Sequence, residues 1–256
     1  MAFFFRKKQT PVTACIVPAA GQGTRMQGAY EETKQLISLC GVPLIVHTLE
    51  ALEQAKSIDS VVLAVREQEM AQMLRLVQEF GLSKVCQIVA GGDTRMQSVA
   101  KAMAALPPCD FVAIHDGARP LCTPEMIDEV VQAAHRYGAA VPGVKPKDSL
   151  KTRQGGMVQE DVDRDSVVAV QTPQVFAFEE YDAALGYCLE QHRSCTDDAG
   201  VYAVLQKPVY IVEGDYRNIK VTTPEDLYVF RAMLEYKETQ QALGLAPGEI
   251  AQNLKK

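Results

Sequence analysis

A glycine-containing loop near the amino terminus has the residue types needed to bind a polyphosphate. The nine residues from Pro18 to Met26 read PAAGQGTRM and follow a short apolar segment. Small residues let consecutive backbone N–H groups turn toward one anion, and a triphosphate is an anion of suitable size. Two cations lie close by in the chain, Arg25 inside the loop and Lys34 beyond it. This combination predicts phosphate chemistry at the end of the first strand.

The details of this loop disfavour two common nucleotide-binding folds. The dinucleotide fingerprint GxGxxG fails because Met26 occupies the third glycine position, and the second strand ends in Val65-Arg66 without a ribose-binding acid. The ATPase sequence GxxxxGK[ST] does not occur either. Arg25 and Lys34 instead suit nucleotidyl transfer, in which charge develops on a pentacoordinate phosphate and a departing pyrophosphate. Loss of one such donor costs about 3–4 kcal/mol.

Other candidate ligand-binding residues follow later strands. Gly92, Asp93 and Ser98 lie beyond the third apolar segment, and Asp116 follows the segment FVAIH. Ligands bind open α/β sheets at the carboxyl ends of strands, so these positions are suited to ligand contact, and Asp116 is suited to accept hydrogen bonds from substrate hydroxyls. Purely structural interpretations exist as well: Asp93 or Thr94 as a helix cap, and Asp116 as a turn aspartate.

The elements that must position these residues alternate between strands and helices, which is typical of a mostly parallel sheet covered on both faces. The predicted strands of the first half are Ala14–Val17, Ser60–Val65, Val85–Val89, Phe111–His115 and Ala139–Val144. The predicted helices are Pro43–Ala55, Glu67–Phe80, Arg95–Ala105 and Pro124–Tyr137. We therefore predict a three-layer, Rossmann-like α/β domain.

The second half contains a polar insertion and then resumes the α/β pattern. Residues 145–171 are polar and include a Gly155-Gly156 turn signal, which predicts a projecting β-hairpin arm. Beyond it we predict helices at Glu179–Gln191, Asp197–Leu205 and Pro224–Tyr236, and strands at Val209–Glu213 and Asn218–Val221. Residues 1–236 are predicted to form a single catalytic domain that includes the arm, and residues 237–256 a polar, loosely attached helical tail.

Composition narrows the function classes. The chain has 256 residues, 47% hydrophobic and 23% charged, which is sufficient for a substantial core. Its net charge of -6 argues against a nucleic-acid partner, because backbone phosphates require a basic surface. Seven cysteines without CxxC or zinc-ligand spacing fit a reducing cytoplasm. No apolar stretch approaches the roughly 20 residues of a membrane span, so we expect a cytoplasmic protein with no membrane contact.

An ordered set of motifs resembles one enzyme family. The motifs are PAAGQGTRM, TKQLISLCGVPLIVHTLEAL, GGDTRMQSV, HDGARP, VDR, QTPQ, TDDAG and NIKVT, and they span Ala14 to Leu227. Together they resemble the 2-C-methyl-D-erythritol 4-phosphate cytidylyltransferases. Such enzymes transfer CMP from CTP to a small alditol phosphate and release pyrophosphate, in the non-mevalonate pathway to isoprene precursors. The resemblance thus implies a transferase with CTP and this alditol phosphate as substrates.

The resemblance also implies roles for individual residues. The catalytic residues would be Arg25, Lys34, Arg164 and Lys220. Of these, Arg25 and Lys34 would stabilise the transition state, and Lys220 would hold the reacting phosphates together. The nucleotide would be bound by Pro18, Ala19, Ala20, Gly21, Gly23, Gly92, Asp93, Ser98 and Gly117. The acceptor would be bound by Asp116, Arg119, Ser149, Arg164, Thr172 and Lys220.

A metal and a second subunit are further implications. Mg²⁺, or another divalent cation, would be held mainly by the CTP phosphates and would approach Asp116 through water, without a dedicated protein site. In the family, the arm embraces a second subunit, so we expect a homodimer in which Arg164 reaches the neighbouring site. Structural interpretations remain open: arm packing for Arg164, Ser149 and Thr172, and a salt bridge to Asp116 for Arg119.

Three positions depart from the family pattern. Thr33 stands where proline often precedes the Lys-Gln pair, Gly117 where alanine is usual, and Ser149 where threonine is usual. The closest alternative function is the same chemistry on ribitol 5-phosphate, followed by nucleotidyl transfer to a hexose 1-phosphate. A nucleotide-binding regulatory module without turnover is the alternative of another class. The joint presence of four cations suited to phosphate chemistry argues against it.

Overall fold

A central β-sheet of eight strands, covered by helices on both faces, positions the strand ends described above. In the computed structural model, the described residues are 10–21, 33–39 and 41–243. The strands in these ranges are β1 (Thr13–Pro18), β2 (Ser38–Leu39), β3 (Val42–Pro43), β4 (Ser60–Val65), β5 (Val85–Ala90), β6 (Phe111–Ile114), β7 (Ala139–Val144), β8 (Leu150–Gln154), β9 (Met157–Val162), β10 (Ala169–Val170), β11 (Gln174–Ala177) and β12 (Tyr210–Glu213). The helices are α1 (Leu44–Gln54), α2 (Met70–Glu79), α3 (Arg95–Met103), α4 (Pro124–Tyr137), α5 (Phe178–Glu190), α6 (Asp198–Tyr202) and α7 (Pro224–Leu243).

The main sheet is mostly parallel. Its order is β10-β7-β11-β6-β1-β4-β5, and β12 also pairs with β7. Strands β6, β1, β4 and β5 are parallel neighbours, whereas β11 is antiparallel to both β6 and β7. Ala140 pairs with β11 and β12, and Gly143 pairs with β10 and β12. One edge of β7 is therefore shared by β10 and β11, while β12 occupies the other.

Burial on both faces explains why the central strands are continuously apolar. In β1, Cys15 and Val17 pack against one helical layer with residues of α1, α2 and α4. Ile16, between them, packs against the other layer with residues of α3 and α5. All three side chains are fully buried. This alternation, with a helical layer on each face, confirms the three-layer α/β prediction.

Local sequence signals set the helix boundaries around the site. The Thr94 hydroxyl accepts from the backbone N–H of Gln97, and the Gln97 side chain accepts from the N–H of Thr94, which forms a capping box at the start of α3. Asp93 is therefore not the cap. Helix α4 begins after a Thr123 cap with proline at its first position, and it ends at Tyr137, directly before Gly138, where φ is 89°.

The predicted elements are largely confirmed. Strands β4 and β7 and helix α4 have the predicted bounds, β5 and β6 differ by one residue at one end, and β1 is longer by one residue at each end. The region before α2, predicted as helix, begins with a 3-10 turn at Glu67–Glu69. The last helix continues past Tyr236 to Leu243, and residues 244–256 lie outside the described chain. The division between catalytic domain and tail thus stays a prediction.

The predicted strand Asn218–Val221 is wrong, because this segment joins no sheet. Its backbone groups bond to scattered partners instead: the Asn218 carbonyl accepts from Arg119 at 2.7 Å, and the Val221 N–H donates to the Ala118 carbonyl at 2.8 Å. The short strands β10 and β11 were not predicted. Strand β11 is only four residues long and follows directly on the QTP turn, so its length and flanking residues gave little strand signal.

The predicted hairpin is present in residues 145–171. Strands β8 and β9 pair antiparallel with each other, and among the described strands they pair with no other. Gly155 and Gly156 have φ of 54° and 87°, the two positive values that a tight two-residue hairpin turn needs. Most side chains of both strands are exposed. In the described part of the chain, no helix combines the length and the apolar character that membrane crossing requires.

Candidate active site

The carboxyl ends of β1, β4, β5 and β6 enclose a cavity of about 660 Å³. Because these strands are parallel, their carboxyl ends meet at one edge of the sheet, where the following loops converge. Predicted site residues that line the cavity are Pro18, Ala20, Gly21, Lys34, Gly92, Asp93, Ser98, Asp116, Gly117 and Lys220. Side chains from distant parts of the sequence thus meet in one cavity of a size suited to a nucleotide and a small substrate.

The described part of the first loop approaches the loop after β5 very closely. A Cβ on Gly91 would lie 2.3 Å from the Ala20 Cβ and 3.0 Å from the Ser98 hydroxyl, so only glycine fits there. Ala19 donates its N–H to the Ala64 carbonyl at 2.7 Å, and its side chain is buried in the core rather than facing the cavity. Gly23 and Arg25 lie outside the described residues.

The loop from Gly91 to Thr94 is held by the first turn of α3. The Ser98 hydroxyl accepts from the Gly92 N–H at 3.0 Å and donates to the Thr94 carbonyl at 2.9 Å. A Cβ on Gly92 would lie 2.5 Å from the Gln97 Cβ, so this position also requires glycine. Ser98 therefore shapes the loop, and Asp93 is left exposed at the cavity rim.

Asp116 is the centre of a charge cluster. Its Oδ2 lies 2.8 Å from the Lys220 Nζ and 3.5 Å from the Arg119 Nε, and its Oδ1 lies 3.4 Å from the Arg95 Nη2. The Asp116 side chain is 9% exposed, whereas Lys220 is 41% exposed. One buried carboxylate thus orients three cations, of which Lys220 has the most open side chain.

The ionisation of this centre follows from its surroundings. Burial alone would raise the pKa of Asp116, but Lys220 and, at longer range, Arg95 and Arg119 hold that pKa well below its usual range. Burial lowers the pKa of the adjacent His115 to about 3. His115 is therefore neutral near pH 7, and Asp116 is a carboxylate that accepts hydrogen bonds.

Thr172 supports the cluster from inside the fold. Its hydroxyl accepts from the Asp116 N–H at 3.0 Å and pairs with the His115 Nδ1 at 3.0 Å. The side chain is 4% exposed and does not line the cavity. In this chain Thr172 fixes the backbone of Asp116, a supporting role that neither the expected substrate contact nor arm packing describes, and the substrate contact stays a prediction.

Lys34, Arg119 and the 218–221 segment are joined by backbone contacts. The Lys34 Nζ donates to the Val221 carbonyl at 2.8 Å, next to Lys220. Arg119 is 8% exposed, forms the predicted ion pair with Asp116, and donates to the Asn218 carbonyl at 2.7 Å. The loop that replaces the predicted strand therefore places Lys34 and Lys220 at the same cavity.

Ser149 and Arg164 lie elsewhere. They line a second cavity of about 580 Å³ beside the hairpin, which shares no described lining residue with the first cavity. The Arg164 Nη1 donates to the Lys147 carbonyl at 3.0 Å, and the Arg164 side chain is exposed. A single chain therefore does not bring these two residues to Asp116.

Sequence reasoning missed several residues at the main cavity. Arg95 pairs with Asp116 and, at 2.7 Å, with Asp198, which lies about a hundred residues further along the chain. Arg66 pairs with Glu69 at 2.6 Å, and Lys101 donates to the Gly91 carbonyl at 2.8 Å. Their positions in the sequence could have indicated them, because Arg66 directly follows a predicted strand and Arg95 follows the candidate residues Gly92 and Asp93.

The donor set at the cavity limits how a metal could bind. Among the described residues, no group of three or more His, Cys, Asp or Glu side chains is arranged to hold a metal ion. A divalent cation bound directly to Asp116 would have to displace the Lys220 ammonium, 2.8 Å from its Oδ2. These residues fit a cation that is held by substrate phosphates and reaches protein oxygens through water.

Comparison with known proteins identifies the family. The family model described as 2-C-methyl-D-erythritol 4-phosphate cytidylyltransferase matches residues 13–236. Proteins of that name from Bacillus mycoides and Geobacillus kaustophilus are 40% and 42% identical, over 87% and 86% of this chain and 98% and 95% of their own lengths.

Solved structures agree with these sequence relatives. The 4-diphosphocytidyl-2C-methyl-D-erythritol synthase of Anaerococcus prevotii has a TM-score of 0.78 at 28% identity and covers 88% of this chain and 97% of its own. The 2-C-methyl-D-erythritol 4-phosphate cytidylyltransferase of Thermus thermophilus has a TM-score of 0.73 at 30% identity and covers 88% of this chain and 99% of its own. The chain therefore belongs to the 2-C-methyl-D-erythritol 4-phosphate cytidylyltransferase family.

Proposed function

We propose that this protein transfers CMP from CTP to 2-C-methyl-D-erythritol 4-phosphate, giving 4-diphosphocytidyl-2-C-methyl-D-erythritol and pyrophosphate in the non-mevalonate pathway. Membership of the family supports the two substrates. The observation that carries the mechanism is the placement of Lys34 and Lys220 at one cavity beside Asp116. That cavity opens at the strand ends where the glycine-containing loop begins.

The chemistry is a displacement at the α-phosphorus of CTP. An oxygen of the acceptor phosphate attacks this phosphorus, a new P–O bond forms, and the bond to the bridging oxygen breaks to release pyrophosphate. The attacking phosphate oxygen is already anionic, so no general base is needed. The neutral, buried His115 agrees with this, since it does not reach the cavity. Alignment of the two phosphates accelerates the reaction, because it lowers the activation barrier by about 7–11 kcal/mol in well-oriented systems.

The cations divide between the reacting groups. Lys220 holds the α-phosphate and the acceptor phosphate together, while Lys34 and Arg25 stabilise the charge that moves to the leaving pyrophosphate. Asp116 accepts hydrogen bonds from acceptor hydroxyls, and Arg119 holds Asp116 and the Lys220 segment in place. A divalent cation such as Mg²⁺, held by the CTP phosphates, would neutralise part of their charge when bound.

The nucleotide occupies the loop side of the cavity. Backbone amides of Ala20 and Gly21 bind the triphosphate, a role that the family resemblance extends to Gly23, and Gly117 offers a backbone contact. Gly92, Asp93 and the Ser98-shaped loop contact cytosine and ribose. The close approach of Ala20 to Gly91 supports this arrangement, because it brings the phosphate and base segments together.

A homodimer completes the acceptor site. Ser149 and Arg164 line a separate cavity in the single chain, so they serve the Asp116 cavity only if the hairpin of a second subunit brings them there. The six described cysteines are free thiols, which suits a reducing cytoplasm. The net charge of -6 continues to argue against a nucleic-acid partner.

The direct test is pyrophosphate release from CTP and Mg²⁺ with either 2-C-methyl-D-erythritol 4-phosphate or ribitol 5-phosphate. We expect strong preference for the erythritol substrate. Preference for ribitol 5-phosphate would support the proposed chemistry but contradict the proposed acceptor. No pyrophosphate release with either substrate would contradict the proposed function.

The shared site is tested by mixing two inactive variants, Lys34→Ala and Arg164→Ala, under conditions that exchange subunits. If Arg164 acts in the neighbouring site, one site of each mixed dimer has both residues, and about a quarter of wild-type activity returns at equal amounts. If Arg164 acts within its own chain, no activity returns. Each variant alone is the control.

A further inference from the structure

The acceptor side of the cavity is connected to a buried hydrogen-bond network outside it. Arg95 lines the cavity, and its Nη2 lies 2.7 Å from the Asp198 Oδ2 but 3.4 Å from the Asp116 Oδ1. The shorter contact to Asp198 is charge-assisted and of normal length, whereas the contact to Asp116 is long. The position of the guanidinium is therefore determined mainly by Asp198.

Asp198 is itself rigidly held. Its side chain is 2% exposed, and its Oδ1 accepts the Tyr181 hydroxyl at 2.7 Å. Tyr181 is fully buried and stacks on Phe176, a β11 residue, with ring centroids 5.0 Å apart. The buried, stacked ring holds the hydroxyl in place, and the hydroxyl bonds the Asp198 oxygen that Arg95 does not contact.

The start of α6 is fixed by a second set of bonds. The Gln174 side chain accepts from the Ala199 N–H at 2.7 Å and donates to the Asp197 Oδ2 at 2.9 Å. Asp197 also caps the helix by accepting from the Gly200 N–H at 2.9 Å. Asp197 thus shares the location of Asp198 but not its ion pair with Arg95, which makes it a matched control.

We infer that Asp198, supported by Tyr181, is a positioning residue that holds Arg95 at its long distance from Asp116 and thereby keeps Asp116 available to the acceptor. The inference rests on the proposed function, in which Asp116 accepts hydrogen bonds from acceptor hydroxyls. With Asp198 neutral, Arg95 loses its nearer anion and closes on the Asp116 Oδ1. The paired oxygen is then a poorer acceptor for the substrate.

The kinetic test compares Asp198→Asn, Tyr181→Phe and the control Asp197→Asn. Asparagine preserves the size and the Tyr181 contact of Asp198 while removing its charge. We expect kcat/KM for the acceptor to fall about 10- to 100-fold in Asp198→Asn, with KM for CTP unchanged within about twofold. The Tyr181→Phe variant changes the same parameter by about 2- to 10-fold. Asp197→Asn lowers thermal stability but keeps acceptor kinetics near wild type.

Two outcomes would overturn the inference. One is wild-type acceptor kinetics in Asp198→Asn. The other is an equal loss in both substrates that Asp197→Asn reproduces, because that pattern indicates a role in folding alone. Thermal unfolding of each variant shows whether the folded protein is being compared.

A measurement on the unliganded protein separates this inference from the proposed function. Arginine side-chain NMR reports the surroundings of the Arg95 guanidinium. We expect the Arg95 Nε–H resonance to move in Asp198→Asn relative to wild type and Asp197→Asn, because the guanidinium exchanges Asp198 for Asp116 as its nearer anion. An Arg95 resonance that is unchanged in all three proteins contradicts the inference. Absence of transfer in the wild-type assay contradicts the proposed function instead.

Discussion

Replacing Lys220 by alanine separates its role in catalysis from its role in the charge cluster. The Lys220 Nζ lies 2.8 Å from the Asp116 Oδ2, but its side chain is 41% exposed. Arg95 and Arg119 remain at 3.4 Å and 3.5 Å after its removal, so Asp116 stays ionised and partnered. We therefore expect the free energy of unfolding to fall by only about 1–2 kcal/mol, because the buried carboxylate loses its nearest cation but keeps two others at longer range.

The expected catalytic loss is much larger. A donor that stabilises charge developing in the transition state is worth about 3–4 kcal/mol, so kcat of Lys220→Ala should fall about 10²- to 10³-fold. The assay is single-turnover transfer with saturating CTP, Mg²⁺ and acceptor, and urea unfolding gives the stability. Lys207→Ala is the control, because Lys207 pairs with Glu180 away from the cavity. A kcat of Lys220→Ala within about threefold of wild type would refute the role assigned to this lysine.

Three further predictions concern the surroundings of the cavity. The Thr33 hydroxyl donates to the Glu69 Oε1 at 2.6 Å, so Thr33→Ala should lose about 0.5–1.5 kcal/mol of unfolding free energy. Thr33→Pro should regain part of this loss, because Thr33 has φ of -68° and ψ of 148° and proline favours that φ. Equal stability of wild type and Thr33→Ala would contradict this prediction. Gly91→Ala should abolish CTP binding in calorimetry or unfold the protein, because the added Cβ would meet Ala20. The control Gly186→Ala, at a helical position with open space, should be neutral or stabilising. Tight CTP binding by Gly91→Ala would show that the two loops can separate. His115 is buried with its pKa lowered to about 3, so between pH 6.5 and 3 the unfolded chain binds one proton more than the folded chain. The free energy of unfolding should therefore fall as pH drops through this range, by up to about 1.4 kcal/mol per pH unit. His115→Asn should flatten this slope in urea titrations, and an unchanged slope would contradict the assignment.

The sequence predicted the fold class and most elements because the central strands are buried on both faces. Such strands are continuously apolar, as in Ala14–Val17, and the helices between them begin at recognisable caps such as Thr123-Pro124. The pattern failed where backbone groups bond singly to distant partners. Asn218–Val221 has the composition of a strand, but its bonds to Ala118, Arg119 and Lys34 are not visible in the local sequence.

The candidate site was predicted in the same uneven way. Residues at the ends of predicted strands, such as Asp116 and Gly92, line the cavity as expected. Arg95 and Asp198 were missed because their pairing joins segments about a hundred residues apart. Thr172 was expected to bind substrate, yet it is buried beneath Asp116, and a motif alone does not distinguish a contacting residue from a supporting one.

The central claim is a direct displacement at the α-phosphorus of CTP by the acceptor phosphate. The most direct test is the stereochemical course with CTP in which one α-phosphate oxygen is replaced by sulfur, giving a chiral phosphorus. One in-line displacement predicts inversion of configuration in the cytidylyl product made from 2-C-methyl-D-erythritol 4-phosphate. Retention would show two successive displacements through a covalent intermediate, and it would contradict the account of Lys34, Lys220 and Asp116 given above.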